Sequence, residues 1–167
     1  MKTMYMTKDE LLNFVAGNDD DWTIRDNRMK KVFGNLHYTN YDTIYNNAPV
    51  ARYIVLLTDN DEIIGITKVW ERLDAEYRTE NAHMGFCLNY IELAKSFQHQ
   101  GLLSELVKIS VDEITKRTDL FLSNSESEEG RAAHVNDHFA KAFKNTGVKF
   151  FASEHEYYDS LREASAK

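Results

Sequence analysis

Three polar side chains, Gln98, His99 and Gln100, stand directly before Gly101, where an apolar run gives way to the spacing of a helix. The backbone N–H groups in the first turn of a helix have no partner within the helix and carry partial positive charge, so a phosphate group can bind there. A glycine leaves the approach open, and no carboxylate lies among the three residues before it. The arrangement predicts an anion-binding turn, although an ordinary strand-to-helix turn has the same spacing.

Two widespread phosphate motifs are absent from this segment. A Walker loop ends in Gly-Lys-Ser/Thr and a dinucleotide fingerprint needs three spaced glycines, whereas Leu93–Leu106 contains one glycine. The turn alone therefore does not identify its ligand, and the elements on either side of it have to be considered.

The elements before the turn are predicted to be strands. Arg52–Thr58 is rich in strand-forming residues, and Asp59–Glu62 is predicted to be a turn. In Ile63–Arg72, successive side chains would point alternately to the two faces of a strand. The sequence therefore predicts a β-hairpin. A third strand is predicted over about His83–Leu93. This strand leads directly into the Gly101 turn.

The elements after the turn alternate between helix and strand. Apolar residues recur at helical spacing from Leu103 to Ile114, and this helix is predicted to end near Lys116. A strand at 119–123, a helix ending near Gly147 and a final strand at 148–152 follow. A strand-helix-strand arrangement of this kind is typical of an α/β domain.

The first fifty residues are less regular. Lys8–Ala16 is predicted to be a helix, with Thr7 as its N-cap and Glu10 completing a capping box. Residues 22–49 are not assigned, although apolar side chains between 29 and 36 have helical spacing. The predicted order of helix, helix, hairpin, strand, helix, strand, helix and strand gives a mixed α/β (α+β) fold class.

Composition excludes several kinds of protein. The chain has 167 residues, of which 43% are hydrophobic, so it can bury a full core, and we expect a single domain spanning residues 1–167. A net charge of −7 without any basic cluster argues against nucleic-acid binding and is compatible with a cationic partner.

Location and metal content follow from a few sequence features. No apolar run approaches the roughly 18 residues that span a bilayer, and the N-terminus lacks a signal-peptide pattern, so we expect a cytoplasmic protein that does not bind membranes. The single cysteine, Cys87, excludes an intrachain disulfide and a multi-cysteine metal site, and no metal site is predicted. A buried, unreactive thiol is the expectation for Cys87.

The segment LAKSFQHQGLLSELV, residues 93–107, resembles the pyrophosphate-binding motif of the GNAT superfamily of N-acetyltransferases. The positions that match are an aromatic residue, the glutamine and glycine of the motif and a helix leucine: Phe97, Gln98, Gly101 and Leu106. Leu103 departs from the pattern, because glycine or alanine is usual at that position.

The resemblance extends from about Arg52 to Phe151. A hairpin precedes the motif strand, and the later segment VNDHFAKAFKNTGVKFF contains Asn136 and an aromatic pair before Gly147, as in that family. It implies a GNAT-like central mixed, mostly antiparallel sheet flanked by helices. Residues 1–50 would form a helical, acceptor-shaping part, and 51–152 the remainder of the fold.

The resemblance also implies acetyl-coenzyme A as cosubstrate and transfer of its acetyl group to a primary amine of a small molecule or protein. Backbone N–H groups of the turn would hold the pyrophosphate, and the end of the motif strand would pair with the pantetheine arm. The cofactor-binding residues that it implies are Ile91, Leu93, Gln98, His99, Gln100, Gly101, Leu102, Leu103, Ser104 and Asn136.

Acetyl transfer to an amine requires a base that removes a proton from the nitrogen. The candidates on or beside the central strands are Glu92, His83 and Glu71. Glu92 lies two residues from Tyr90 and therefore on the same face of the strand, which would give a carboxylate and a phenol on one side of the cleft. A solvent-facing or interface position is the alternative for Glu92.

The departing thiolate needs a proton, and members of the family often supply it from a tyrosine in the later helix. The corresponding positions here are His138, Phe139 or Phe143, none of which is tyrosine. Tyr157 or Tyr158 is the expected substitute. The alternatives are that solvent protonates the thiolate or that catalysis has been lost.

The acceptor site in this family is commonly shaped by the N-terminal part of the chain. Carboxylates and aromatic rings there would suit a cationic amine, and they are Asp19, Asp20, Asp21, Tyr38, Tyr41 and Tyr45. A solvated loop with locally packed tyrosines is the alternative. Two other readings stay open, namely a catalytically inactive GNAT-fold binding or inhibitor protein acting through an acidic surface and an unrelated α/β domain. The resemblance also leaves a homodimer open.

Overall fold

The computed structural model describes residues 1–34, 36–37, 44–47, 49–71, 85–123 and 131–166. Contacts group the chain into two compact units, the first formed by residues 1–68 and 91–106 and the second by residues 69–90 and 107–167. The prediction of a single domain, with its first part ending near residue 50, stays a prediction.

Within the described residues, a mixed sheet of six strands forms the framework, and the strands lie in the order in which they occur along the chain. The strands are β1 (Lys2–Thr7), β2 (Ala51–Leu57), β3 (Ile63–Trp70), β4 (Phe86–Leu93), β5 (Leu120–Ser123) and β6 (Lys149–Phe151). The helices are α1 (Lys8–Ala16), α2 (Trp22–Phe33), α3 (Leu102–Thr115), α4 (Arg131–Phe143) and α5 (Glu154–Ser165). The predicted mixed α/β class is confirmed.

The strand directions agree with the predicted sheet. β1 is antiparallel to β2, whereas β5 is parallel to β4 and β6. The Thr58 N–H donates to the Glu62 carbonyl at 2.9 Å and closes the predicted β2–β3 hairpin. The Ala94 N–H, just beyond β4, donates to Ile64 at the start of β3 at 2.8 Å, so these neighbouring strands also run in opposite directions. The sheet is therefore mostly antiparallel.

The first strand was not predicted. β1 lies at the edge of the sheet and pairs with β2 in a register that sets Met6 opposite Tyr53. The first three residues of β1 are exposed, and Met6 is its one buried hydrophobic residue. A strand of this composition is stabilised by pairing with a distant segment, which a local hydrophobic pattern does not reveal.

The N-terminal helices have well-defined caps. Thr7 Oγ1 accepts the Glu10 N–H at 3.2 Å, which confirms the predicted N-cap of α1. Asp21 caps α2 by accepting the Thr23 N–H at 2.8 Å. Helical spacing in the sequence is evident only from residue 29, whereas the helix begins at Trp22. Side chains such as Leu11, Val15, Met29 and Phe33 are buried in the core of the first unit.

An aromatic cluster forms the core of the second unit. The Phe121 ring lies 5.1 Å from that of Phe139, 5.0 Å from Phe143 and 6.2 Å from Phe150, centroid to centroid. These distances suit favourable aromatic packing. The cluster holds α4 against β5 and β6, the strand-helix-strand arrangement that the sequence predicts.

The last helix, α5, was also missed, because the predicted order ended at the strand that precedes it. Ser153 Oγ accepts the Glu156 N–H at 3.2 Å, and Glu156 Oε2 accepts the Ala152 N–H at 3.1 Å. Ser153 and Glu156 form a Ser-x-x-Glu pair typical of helix N-termini. This local signal was available in the sequence.

Across the ranges that the structure describes, no helix is both long enough and apolar enough to cross a membrane.

Candidate functional site

The turn between β4 and α3 is braced by its own glutamines. A short 3₁₀ helix, Lys95–Phe97, follows β4, and residues 98–101 lead into α3. Gln98 Nε2 donates to the Leu93 carbonyl at 3.0 Å, and Gln100 Nε2 donates to the Ser96 carbonyl at 3.0 Å. Both amides fold back onto the main chain and so help to fix the conformation of the turn.

Gly101 has a backbone conformation and surroundings that suit an anion site. Its φ is +73°, in the left-handed region that favours glycine, and a Cβ built on it would meet no atom within 4 Å. His99 also has a positive φ, 63°. Ser104 Oγ donates to the Gly101 carbonyl at 2.8 Å and so orders the first turn of α3. The glycine thus leaves open space beside a helix N-terminus.

A buried leucine holds the start of α3 against the core. Leu106 is fully buried, whereas Leu102 and Leu103 are half-buried. Leu103, which departs from the motif, therefore does not project wholly into solvent. Ser104 and Glu105 are exposed at the same turn.

Glu92 makes two contacts with His37. Its Oε1 atom accepts the backbone N–H of His37 at 2.7 Å and lies 3.1 Å from His37 Nδ1. The Glu92 side chain is 11% exposed, whereas the His37 side chain is 92% exposed. Glu92 is therefore neither a solvent-facing carboxylate nor an isolated one. The sequence alone does not indicate that His37 lies beside Glu92.

The backbone around His37 is fixed by the end of α2. Gly34 has a φ of +52°, and its N–H donates to the Lys30 carbonyl at 3.1 Å. The Leu36 N–H donates to the Phe33 carbonyl at 3.0 Å, and the Leu36 side chain is 3% exposed. Because the Leu36 side chain is buried in the core, the next residue, His37, lies within hydrogen-bond distance of Glu92.

The two predicted catalytic tyrosines belong to the second unit. Tyr157 is 4% exposed and lies in a cluster with Leu120 and Leu122. Its ring is 5.4 Å from that of Phe151. Burial raises the pKa of the Tyr157 phenol, so it stays protonated at neutral pH. Tyr90 is half-buried on β4.

Asn136, on α4, links two strand ends. Its Oδ1 accepts a hydrogen bond from the buried Ser123 hydroxyl at the end of β5, and its Nδ2 donates to the Ala152 carbonyl at 3.4 Å. Both the oxygen and the nitrogen of the amide therefore make contacts within the protein. A contact with a cofactor would have to replace or share one of them.

Other sequence candidates have separate positions. His83, Tyr38 and Tyr41 lie outside the described residues. Glu71 is half-buried after β3, and the half-buried Cys87 thiol lies 3.7 Å from the Leu88 carbonyl.

The acidic N-terminal turn has a local role. Asp19 Oδ1 accepts the Asp21 N–H at 2.9 Å, and Asp21 caps α2. Tyr45 is 58% exposed, and Lys8 Nζ lies 5.7 Å from its ring centroid. The contacts of these residues are those of a folded loop, and their predicted acceptor role stays a prediction.

A buried lysine was also overlooked. Lys68 on β3 is 8% exposed, and its Nζ donates to Asn47 Oδ1 at 3.0 Å. Asn47 Nδ2 in turn donates to the Tyr53 hydroxyl at 2.8 Å. Burial lowers the pKa of the Lys68 amine, because water no longer stabilises its charge. No short motif connects these three residues in the sequence.

No protein-family model matches this chain, and no curated protein sequence is significantly similar to it. Its fold is similar to that of solved acetyltransferases. AAC(6')-Iy, an aminoglycoside N-acetyltransferase solved with the bisubstrate analogue CoA-S-monomethyl-acetylneamine, is 16% identical, with a TM-score of 0.51 over 90% of this chain and 95% of that one.

Two further structures give the same result. AAC(6')-IG from Acinetobacter haemolyticus, an aminoglycoside 6'-N-acetyltransferase, is 10% identical, with a TM-score of 0.51 over 83% of this chain and 89% of that one. The aminoglycoside acetyltransferase meta-AAC0020 from an uncultured soil metagenomic sample is 12% identical, with a TM-score of 0.50 over 89% and 90% of the two chains. These similarities establish the fold.

Proposed function

We propose that this chain, which has the GNAT acetyltransferase fold, is an acetyl-coenzyme A-dependent N-acetyltransferase that acts on a primary amine. The observation that supports this most directly is the Gly101 turn. A glycine with a φ of +73° and open space around it stands directly before α3, at the motif that resembles the GNAT pyrophosphate loop. Fold alone does not determine activity, so the proposal depends on this turn.

The residues of the turn fit the pyrophosphate of acetyl-coenzyme A. The backbone N–H groups of His99–Ser104 would bind its oxygens, because the first turn of α3 has N–H groups without partners in the helix. The Gln98 N–H, which the motif also includes, already donates to the Lys95 carbonyl at 3.3 Å. No acidic side chain lies within this segment. Ile91 and Leu93, at the end of β4, would pair with the pantetheine arm. When bound, the cosubstrate supplies the acetyl thioester.

The acceptor that we propose is a cationic amine, on a small molecule or a protein. The chain has a net charge of −7, which favours the approach of a positively charged partner. The solved structures with similar folds include acetyltransferases named for aminoglycosides, which are amine-bearing molecules. Neamine, spermidine and a lysine-containing peptide make a suitable first panel.

A calorimetric titration with acetyl-coenzyme A tests the proposal. We expect a dissociation constant in the micromolar range, or about −8 kcal/mol. S-acetylpantetheine, which lacks the pyrophosphate and the nucleotide, is the control and should bind far more weakly. If acetyl-coenzyme A does not bind at millimolar concentration, or if both compounds bind equally, the proposed function is wrong. Acetylation of the amine panel is measured next.

A further inference from the structure

We propose that His37 is the general base of this reaction and that Glu92 positions it. This inference rests on the proposed function, because it concerns the proton that the acceptor amine must lose. It changes the assignment that the sequence suggested, in which the Glu92 carboxylate itself is the base.

The first argument is the pair of contacts between these residues. One carboxylate oxygen, Glu92 Oε1, accepts the backbone N–H of His37 at 2.7 Å and lies 3.1 Å from its Nδ1. Contacts to both the main chain and the ring of one residue restrain the ring's orientation. A single contact to the ring tip would leave the backbone free to move.

The second argument concerns the position of the proton on the imidazole ring. An ionised carboxylate can only accept hydrogen bonds, so Nδ1 must donate in this contact. In a neutral imidazole the other nitrogen, Nε2, then has the lone pair. Glu92 therefore selects the tautomer in which the outer nitrogen of His37 can accept a proton, as the carboxylate of a catalytic triad does for its histidine.

The third argument is the difference in exposure. The Glu92 side chain is 11% exposed and the His37 side chain 92% exposed. An acceptor amine arriving from solvent can reach the imidazole more easily than the carboxylate behind it. The mostly buried Glu92 carboxylate is suited to hold the ring and, after proton transfer, to stabilise the imidazolium charge.

The fourth argument is the place of Glu92 along β4. It lies between Ile91 and Leu93, the residues that the proposed function assigns to the acetyl-bearing arm. The ring that Glu92 holds is therefore tied to that part of the strand. A second carboxylate-paired histidine, His155, lies on α5 beside Asp159 and has no such position.

The proposed step balances atoms and charge. The ammonium group of the acceptor first releases one proton to solvent. The neutral nitrogen then forms a bond to the acetyl carbon, and the second proton that it loses passes to Nε2 of His37. The carbon–sulfur bond breaks, and the departing thiolate takes up a proton from water or from a protein donor. The imidazolium returns its proton to solvent before the next cycle, and no oxidant or metal is required.

The test compares His37→Ala with His155→Ala. Each variant removes an exposed imidazole that is paired with a carboxylate, with 92% and 82% of the side chain exposed respectively. His37→Ala keeps the backbone N–H that bonds to Glu92, so we expect it to fold. With the amine that the wild-type protein acetylates fastest, we expect kcat to fall about a hundredfold or more in His37→Ala and to change less than twofold in His155→Ala.

Chemical rescue separates a base from a structural residue. Because His37 is exposed, free imidazole added to His37→Ala should reach the vacated position and restore part of kcat. Acetyl-coenzyme A should bind the variant with unchanged affinity. Glu92→Gln should lower kcat by about tenfold, and it should add little when combined with His37→Ala, because its effect acts through the ring.

The outcomes distinguish this inference from the proposed function. Wild-type protein that binds no acetyl-coenzyme A, or binds it without acetylating any amine of the panel, overturns both the base assignment and the activity. An active wild-type protein with His37→Ala within twofold of it overturns the base assignment alone. Loss of activity in His37→Ala without any response to imidazole also overturns it, since the contact would then be a structural tether.

Discussion

The Cδ2 methyl group of Leu106 lies 3.1 Å from the point at which a side chain on Gly65 would begin. Leu106 is in the second turn of α3 and fully buried, and Gly65 is near the start of β3. This close approach sets how near the start of α3 comes to the strand. The position of the Gly101 turn therefore depends on a glycine far from it in sequence.

We expect Gly65→Ala to lower the free energy of unfolding by about 1–3 kcal/mol, because the added methyl group overpacks a filled core. Urea unfolding of the purified variant measures the change. The control is to make Gly65→Ala in a protein that already contains Leu106→Ala. There the new methyl group has space, so Gly65→Ala should leave the free energy of unfolding almost unchanged. An equal cost in both backgrounds would show that Leu106 is not what Gly65 accommodates.

Two glycines with similar backbone conformations and similarly open surroundings lie at different places in the fold. Gly101 and Gly147 have φ values of +73° and +82°, and a Cβ on either would meet no atom within 4 Å. Replacing either glycine by alanine should therefore lower the free energy of unfolding by a similar amount, about 1–2 kcal/mol, through backbone strain. Only Gly101 stands at the proposed pyrophosphate turn.

We expect Gly101→Ala to weaken acetyl-coenzyme A binding at least tenfold, whereas Gly147→Ala should bind as the wild-type protein does. Calorimetry measures the affinities, and thermal unfolding checks that the two variants are equally destabilised. If Gly101→Ala retains full affinity, the turn does not approach the pyrophosphate. Equal weakening in both variants would point to a general loss of structure instead.

Elements with strong local signals could be predicted from the sequence. The hairpin of β2 and β3 has two apolar strands around a polar turn, and α1 begins with a capping box at Thr7. The Gly101 turn was also found, because a change from strand to helical periodicity marks it. In each case, residues close together in the sequence determine the local conformation, whereas the position of the turn in the fold depends on distant residues such as Gly65.

The features that were missed depend mostly on distant contacts. β1 is stabilised by its pairing with β2, and Glu92 meets His37 across 55 residues. Nothing in the local pattern of either segment predicts its partner. α5 is different, since Ser153 and Glu156 form a capping pair that the sequence displays, and recognising it would have placed Tyr157 on a helix.

The third prediction concerns the buried amine of Lys68. Burial lowers its pKa from the ordinary value of 10.5, so the folded protein releases this proton at a lower pH than the unfolded chain. Between the lowered pKa and 10.5 the unfolded chain binds more protons, and stability rises with pH. We expect the wild-type protein to gain stability relative to Lys68→Met as the pH approaches that upper value.

Urea unfolding of both proteins at pH 7 and at pH 10.5, the ordinary pKa of a lysine, measures this difference. Lys68→Met also loses the hydrogen bond to Asn47 Oδ1, but that loss acts at both pH values and cancels in the comparison. Lys108, an exposed lysine on α3, gives the control Lys108→Met, which removes a lysine that is not buried. A stability difference that is the same at both pH values would contradict the effect of burial on Lys68.

The last prediction concerns Tyr157, whose phenol is buried in the cluster with Leu120 and Leu122. Burial raises its pKa above the ordinary value of 10.0, so the folded protein keeps this proton where the unfolded chain loses it. The resulting stability is complete below pH 10 and is lost as the pH rises through the folded-state pKa. Tyr157→Phe keeps the ring and removes the titration.

We therefore expect the stability of wild-type protein relative to Tyr157→Phe to be constant below about pH 9 and to fall above pH 10, as followed by urea unfolding. A constant difference through pH 11 would mean that the phenol is not desolvated. The same variant tests the predicted acid role in catalysis, because phenylalanine packs in the cluster but donates no proton. A fall in kcat without a change in acetyl-coenzyme A affinity would support that role, and unchanged turnover would leave protonation of the thiolate to solvent.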